Sequence, residues 1–315
     1  MKVRPATLDD TAAISELHCA QIPVWQRLDE SGRVQDVERE ALSIYERWQH
    51  GGPWMSVETG ALHLSHLLHG AGTPLVAEDE GVVVASAVLY EGHEPEPYGR
   101  HLSMEHPTVL PDLDGKQILN TMLAAAREQM KEHGVSRLLL PLVLPELQEE
   151  YASRGFSLRA RIIRVSLPAR VGQGFYRSSD WIDPAPRKIA GWSMPIGRVG
   201  SARQQWETLW PETWGALGEL RRQRIHRLQF DASGHEALVC CRQQLYAERN
   251  AEIFCWSPRP LTRQLLTALR DWAHRTGYRT LILNVEEAIV PTFGPEAEAD
   301  GFSLAVYGLD LDEGS

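Results

Sequence analysis

Cysteine, positive charge and long apolar runs are all scarce in this sequence. The four cysteines among its 315 residues include no Cys-x-x-Cys pair; they are Cys19, Cys240, Cys241 and Cys255. This pattern argues against a disulfide framework and favours reduced thiols. The sequence also has no apolar stretch long enough to cross a bilayer and no apolar signal core at its start. It therefore predicts a cytoplasmic protein that does not span a membrane.

Negative charge outweighs positive charge. The chain carries 32 Lys and Arg residues against 42 Asp and Glu residues, which gives a formal net charge of −10. Nucleic acids bind to basic faces, so the composition argues against nucleic acid as the main partner. A hydrophobic fraction of 43% is ordinary for a globular protein with a core, and the length suits two average domains.

Two stretches of the sequence repeat the same order of elements. Residues 121–142 and 264–285 align without a gap, and each runs from an amphipathic helical pattern through a glycine into a short apolar strand. After a variable segment, each continues with the letters GFSL and an alternating strand, first within YASRGFSL (Tyr151–Leu158) and then within AEADGFSL (Ala297–Leu304). The alternative is chance, because helices, strands and Gly-Phe pairs are common. The ordered match favours duplication, which means tandem domains rather than a repeat array.

Upstream of each repeated helix, the sequence predicts a hairpin followed by a third strand. In the first half these strands lie within residues 73–80, 81–92 and 100–110, and the first two are joined by a tight acidic turn. Residues 226–244 and 251–256 fit the same plan in the second half. We therefore predict domains at 1–168 and 188–315, joined by a linker at 169–187 that is rich in Ser, Asp and Pro.

Three segments of the first half carry a family resemblance. KVRPATLDDTAAISELH (Lys2–His18) looks like an opening strand and first helix, and TVLPDLDGKQIL (Thr108–Leu119) looks like a strand that turns into a long helix. YASRGF (Tyr151–Phe156) has the form Tyr-x-x-x-Gly-Phe. In this order they resemble the GNAT superfamily of acyl-CoA-dependent N-acyltransferases. The resemblance implies an α/β fold of two tandem GNAT-like domains, each with a mixed, mostly antiparallel central sheet flanked by helices.

The resemblance also implies where acetyl-CoA would bind. A helix N-terminus carries free N–H groups and partial positive charge, which suit a diphosphate. Backbone groups of Val109 and Leu110 are expected to meet the pantetheine arm. The residues expected at the diphosphate are Asp114, Gly115, Lys116, Gln117, Ile118 and Leu119.

This turn departs from the family pattern. Asp114, Gln117 and Leu119 stand where the family has an arginine and two glycines, and of the family's glycines only Gly115 remains. Asp114 would put negative charge beside the phosphates, and Lys116 can offset one charge. The aligned turn of the second half, at residues 257–263, has two prolines and no glycine. We therefore expect a degenerate second copy without its own acyl-CoA site.

The resemblance assigns a proton donor and a proton acceptor. Tyr151 matches the family tyrosine that protonates the leaving thiolate, and a phenol with a pKa of about 10 holds its proton at neutral pH. Ala297 takes its place in the second copy. The alternative for Tyr151 is a packing role. Glu105 stands where family members carry the base for the amine, and its alternative is a solvated strand residue. His106 is the second candidate base if Pro107 causes a bulge.

The resemblance implies transfer of an acetyl group from acetyl-CoA to an amine of a small molecule or amino acid. The alternative is a GNAT-like protein that binds a ligand or partner without catalysis. His63, His66 and His69 recur at every third position, so on a helix they converge poorly and no metal site is expected. The sequence is compatible with a monomer, because a duplicated chain can act as its own pseudo-dimer.

Overall fold

The computed structural model describes residues 1–29, 32–143, 145–211, 218, 224–244 and 247–311. The side chain of His106, the second candidate base, lies outside this described part. Fifteen strands are described: β1 Lys2–Pro5, β2 Gln26–Leu28, β3 Val34–Asp36, β4 Thr73–Asp79, β5 Val82–His93, β6 Arg100–Val109, β7 Arg137–Val143, β8 Ser157–Pro168, β9 Tyr176–Asp180, β10 Ser193–Ile196, β11 Ile225–Ala232, β12 His235–Gln244, β13 Ala247–Ser257, β14 Thr280–Glu286 and β15 Glu298–Asp310. The described α-helices are α1 Thr11–Cys19, α2 Ile44–Trp48, α3 Val57–His66, α4 Gly115–His133, α5 Gln148–Ser153, α6 Ala202–Leu209 and α7 Arg263–Thr276.

The chain divides into two compact units whose boundaries fall inside β5 and β6. The first unit comprises Met1–Tyr90, Met104–His133 and Glu212–Arg222, and the second comprises Glu91–Ser103, Gly134–Pro211 and Gln223–Ser315. The compact units therefore do not coincide with the two halves of the sequence, which describe a repeated order of elements.

In the first unit, β1, β4 and β5 pair antiparallel in that order. The predicted acidic turn joins β4 to β5 with positive φ angles of 49° at Glu80 and 84° at Gly81, as a tight two-residue hairpin requires. Helices α1 and α3 bury apolar side chains against these strands, in a core that includes Ile14, Leu64 and Val76. This packing holds the end of α1 beside the hairpin of β5 and β6.

In the second unit, the strands follow the order β7, β15, β8, β14, β13, β12, β11 and β9. The first residues of β6 lie parallel to β7, with Leu102 opposite Leu138. Helix α7 packs its apolar face on β11 to β14, and it ends at Gly277 with a φ of 102°. The predicted helix ends are confirmed, since Gly134 follows α4 with a φ of 61°.

The two halves exchange their last strands within the second unit. β15, from the end of the chain, lies between β7 and β8, and Ala305 pairs with Val143. β8 in turn pairs with β14, where Val165 lies opposite Leu283. The strand that follows each GFSL segment thus joins the apolar strand of the other half. The repeat predicted these strands but not their exchange.

Several features outside the repeat complete the description. The predicted linker contains β9, which pairs with β11 at the edge of the sheet. All four cysteines are buried and free. Within the described ranges, no helix has the length and apolar character needed to cross a membrane.

Candidate active site

The candidate cofactor turn in the first unit starts where β6 ends. The N–H of Leu110 donates to the carbonyl oxygen of Val84 at 3.0 Å. The carbonyl oxygen of Val109 accepts a hydrogen bond from Nε2 of Gln21 at 3.0 Å. Both residues expected at the pantetheine arm are therefore anchored, Leu110 by β5 and Val109 by Gln21, two residues after the end of α1.

Asp114 caps helix α4. Its Oδ1 accepts hydrogen bonds from the N–H of Lys116 at 3.0 Å and the N–H of Gln117 at 3.3 Å. Its carbonyl oxygen accepts the N–H of Ile118 at 3.2 Å. The Asp114 carboxylate thus binds two backbone N–H groups that the resemblance assigns to a diphosphate. The backbone of this turn therefore binds an anionic group, which is the side chain of Asp114.

The remaining turn residues leave one side open. A Cβ atom added to Gly115 would meet nothing within 4 Å. Lys116 and Gln117 are exposed, Ile118 is buried in the core and Leu119 is half-buried. Gln117, which stands where the family has a glycine, is therefore exposed to solvent and does not fill the turn.

Glu105 is buried, with 2% of its surface exposed. The alternative of a solvated strand residue is therefore wrong. A Cβ atom added to Gly92 would lie 2.2 Å from Nε2 of His101, so these two residues share a face of the β5–β6 hairpin. In the first unit, Ser86 of β5 is also buried, with 5% of its surface exposed.

His18 of α1 lies beside Ser86 of β5. Its Nε2 lies 3.5 Å from Oγ of Ser86, and its ring stacks on Trp54 with centroids 5.7 Å apart. Trp54 is buried and also contacts His63 edge-on at 5.0 Å. Sequence reasoning singled out His63 but missed His18 and Gln21. Their spacing at i and i+3 near the end of a predicted helix was the signal that could have found them.

Tyr151 belongs to the second unit, whereas Glu105 and the turn belong to the first. It lies on α5 with 4% of its surface exposed, and its ring packs edge-on against Phe156 with centroids 5.7 Å apart. Burial, followed by the nearby Glu150 carboxylate, raises the pKa of Tyr151. The phenol therefore keeps its proton at neutral pH, which suits both a packing role and a proton donor.

In the second half, another segment of the chain pairs with the corresponding strands, β13 and β14. Leu281 of β14 aligns with Leu138 and pairs in parallel with Ala251 of β13, just as Leu138 pairs with β6. Farther along β13, strand β10 pairs with it, and the N–H of Gly197 donates to the carbonyl oxygen of Asn284 at 2.7 Å. The segment from Ser193 to Gly197 therefore hydrogen-bonds to both β13 and β14.

In the aligned turn of the second half, side-chain oxygens accept the backbone N–H groups. Oγ of Ser257 accepts the N–H of Arg259 at 3.1 Å and lies 2.7 Å from Nε2 of His235. Oγ1 of Thr262 accepts the N–H of Leu265 at 3.2 Å and lies 3.1 Å from Nδ1 of His235. These contacts, together with β10, give a physical reason to expect no acyl-CoA in this half.

No group of three His, Cys, Asp or Glu side chains able to hold a metal ion occurs among the described residues. His63 instead contacts Trp54, and Nδ1 of His69 lies 2.6 Å from the carbonyl oxygen of Ser65. His63 and His69 thus each have a local contact.

Comparisons with known proteins agree with this fold. Residues 34–156 match the model of the acetyltransferase (GNAT) family. Among solved structures, a GCN5-related N-acetyltransferase from Anabaena variabilis matches with 9% identity and a TM-score of 0.59, over 98% of this chain and 72% of that chain. Eis1 from Mycobacterium abscessus matches with 13% identity and a TM-score of 0.57, over 99% of this chain and 74% of that chain.

No match was found among curated proteins. At such identities the structural likeness shows the fold alone, whereas the family match adds a sequence criterion. The matched range contains Glu105, the turn at 109–119 and Tyr151. The chain therefore has the fold of GNAT acetyltransferases, and its residues 34–156 match that family.

Proposed function

We propose that the protein is an N-acetyltransferase that moves an acetyl group from acetyl-CoA to an amine of a small molecule or amino acid. The observation that carries this proposal is that the candidate residues lie in the part of the sequence that the family model matches. Glu105, the turn and Tyr151 all fall within the range matched by the acetyltransferase family. We further propose that the chain is cytoplasmic and monomeric, with a first half at 1–168 and a degenerate second half at 188–315.

The turn residues fit a diphosphate. The N–H groups of Lys116 and Gln117 already hold the carboxylate of Asp114, so they can bind anionic oxygen. Gly115 leaves room for a close approach, and Lys116 supplies one positive charge. For acetyl-CoA to bind here, the Asp114 carboxylate has to give up these donors, or the diphosphate has to use neighbouring ones.

The proposed reaction needs two proton transfers. The acceptor amine loses a proton to Glu105, directly or through a water molecule, and its nitrogen forms a bond to the thioester carbonyl carbon. The carbon–sulfur bond then breaks, and the Tyr151 hydroxyl donates its proton to the leaving sulfur. Solvent returns a proton to Tyr151 and removes one from Glu105, so the enzyme is restored.

One observation favours a second candidate function, a GNAT-like protein that binds a ligand or partner without catalysis. Asp114 satisfies two of the donors that acetyl-CoA needs, and Gln21 satisfies the carbonyl of Val109. A thermal-shift titration separates the two functions. Acetyl-CoA is expected to raise the melting temperature, because a ligand at a hundred times its Kd stabilises the folded state by about 2.7 kcal/mol. If millimolar acetyl-CoA did not raise the melting temperature, acetyl transfer would be ruled out and the binding function would be the one supported.

Removal of the Asp114 cap is expected to have two opposite effects: it destabilises the free protein and tightens the binding of coenzyme A. Asp114→Ala removes the cap, so the free protein is expected to lose about 1 kcal/mol of unfolding free energy. The same change frees two N–H donors and removes a negative charge, so the Kd for coenzyme A is expected to fall about tenfold. Denaturant unfolding and calorimetric titration measure the two effects.

Asp112→Ala is the matched control, because Asp112 is exposed on the same loop and the change in net charge is identical. It is expected to leave the stability unchanged and to tighten coenzyme A binding much less. If both variants tightened coenzyme A binding equally, only long-range charge would matter. The proposed diphosphate site at the N-terminus of α4 would then be wrong.

A further inference from the structure

Strand β9 lies at an edge of the sheet in the second unit, and no described strand pairs with its outer side. On its inner side it pairs with β11, where Ser178 lies opposite Phe230 and the register has no break. Natural proteins often block an edge strand with a bulge, a proline or a lysine. β9, with the sequence YRSSD, has none of these three. Its outer side can therefore accept another strand.

One hydrogen bond shows which backbone groups of β9 point outward. The N–H of Trp181 donates to the carbonyl oxygen of Arg227 in β11 at 2.9 Å. Hydrogen-bonded pairs alternate along an antiparallel ladder, so every second residue before Trp181 also faces β11. The residues between them, Tyr176, Ser178 and Asp180, direct their backbone groups away from β11. Each of these residues thus presents one donor and one acceptor at the edge.

An exposed apolar side chain stands at each end of β9. Phe175, directly before the strand, is 94% exposed, and Ile182, shortly after it, is 88% exposed. Among the described residues these are the most exposed large apolar side chains. The strand between them is polar, with Arg177 towards one end and Asp180 towards the other. The edge thus has two apolar ends, one beside a positive charge and the other beside a negative charge.

This order of side chains fits a second copy of the same strand that runs antiparallel. Each apolar end then meets the opposite apolar end of the copy, and the Arg177 end of one strand lies beside the Asp180 end of the other. A parallel copy would place like charges side by side. Opposite charges on neighbouring strands stabilise a sheet and like charges destabilise it. The edge of β9 is therefore complementary to itself in the antiparallel orientation.

The outward backbone groups limit the register of such a pair. In an antiparallel ladder, two residues that exchange hydrogen bonds lie directly opposite each other. Residues with outward backbone groups therefore have to lie opposite one another across the two strands. A two-fold axis at Ser178 meets this condition, because it pairs Ser178 with itself and Tyr176 with Asp180 of the second copy.

A two-fold axis at Ser179 also meets the backbone condition, but the apolar ends favour the axis at Ser178. With the axis at Ser178, Phe175 lies opposite Trp181 of the second copy, so two aromatic rings cover each other at both ends. With the axis at Ser179, Phe175 would face the charged Asp183 instead. We propose that the protein forms a dimer in which β9 pairs antiparallel with β9 of a second copy, about a two-fold axis at Ser178.

The expected dimer is weak. Two strands of five residues, with the residues at their ends, bury less than the roughly 1,200–2,000 Å² of a stable interface. A Kd on the order of 0.1 mM is therefore expected. In dilute solution the chain is then the monomer proposed above, and the dimer forms as the protein concentration rises.

Sedimentation equilibrium of the full chain between about 5 µM and about 1 mM tests the proposal. The mean mass is expected to rise from the chain mass of 35.4 kDa towards twice that value. Phe175→Ser is expected to weaken the association at least about tenfold and to leave the fold of the single chain unchanged, because Phe175 is almost fully exposed. Val171→Ser is the matched control, because Val171 is an exposed apolar residue of the same segment outside the paired residues.

Disulfide cross-linking tests the register. Ser178→Cys is expected to form a linked dimer on mild oxidation, because the axis brings the two copies of this residue within the roughly 4.4–6.8 Å that separate the Cα atoms of a disulfide. In Ser179→Cys the two copies lie on a diagonal at about 7–8 Å, so linking is expected to be at least about tenfold slower. The four natural cysteines are buried and free, so they do not compete.

Three results would overturn the proposal. The first is a wild-type mass that stays at one chain at about 1 mM, which would leave the edge of β9 to a strand of another protein. The second is equal association of Phe175→Ser and Val171→Ser, and the third is linking of Ser179→Cys as fast as that of Ser178→Cys. No acyl-CoA is used in either experiment, so these results do not bear on the proposed acetyl transfer.

Discussion

Glu94→Ala is expected to lower the free energy of unfolding by about 3–5 kcal/mol, because it leaves the buried guanidinium of Arg198 without a counter-charge. Both side chains of the pair are almost completely buried, so solvent screens their interaction little. The change also removes the acceptor for the N–H of Ala202 at the start of α6. Chemical denaturation followed by tryptophan fluorescence measures the loss.

Two further variants identify the cause. Glu91→Ala removes a carboxylate three residues earlier, at the end of β5, but its side chain is 49% exposed, so a change well below 1 kcal/mol is expected. Glu94→Leu combined with Arg198→Met removes both charges and is expected to recover most of the stability. If Glu94→Ala were no more destabilising than Glu91→Ala, the buried pair would not be important for the fold.

Tyr151→Phe is expected to lower kcat about a hundredfold, since general acid catalysis contributes on this scale. The phenyl ring keeps the edge-on contact with Phe156, so the unfolding free energy and the KM for acetyl-CoA are expected to change little. A steady-state assay of thiol release measures the effect. The dependence of kcat on pH gives a second readout. The variant is expected to lose the part of the profile that reports ionisation of the Tyr151 phenol.

Tyr307→Phe is the matched control for this experiment. Tyr307 is also a buried tyrosine of the second unit, and its hydroxyl lies 3.4 Å from Gln148. It has no proposed role in proton transfer, so wild-type kcat is expected. If Tyr151→Phe also kept wild-type kcat, Tyr151 would have only a packing role.

Much of the local structure could be predicted from the sequence, because alternation and capping are short-range signals. The strands around residues 73–110 and the glycines that end α4 and α7 were predicted correctly. Strand β9 was missed because its residues, YRSSD, are polar and do not alternate at the sheet edge. The exchange of β8 and β15 could not be predicted, since two similar alternating strands give no signal for their partners.

The candidate site was predictable only as a set of residues. The acidic residue at the start of α4 was visible, and an ordinary helix cap at Asp114 is what the structure contains. The burial of Glu105 could not be inferred, because a short strand with polar residues is compatible with either face. The contact of Gln21 with Val109 joins residues 88 positions apart, and no local pattern encodes it.

The crossing of β8 and β15 gives the second half a structural role in the sheet that does not depend on a binding site of its own. In the second unit, β15 supplies the neighbour that β7 needs, and β8 supplies the neighbour of β14. A chain cut between the halves would expose unpaired backbone on both fragments, which favours aggregation. Loss of the second half would therefore leave β7 without its neighbour β15, so the sheet that follows α4 in the first half depends on the last strand of the chain.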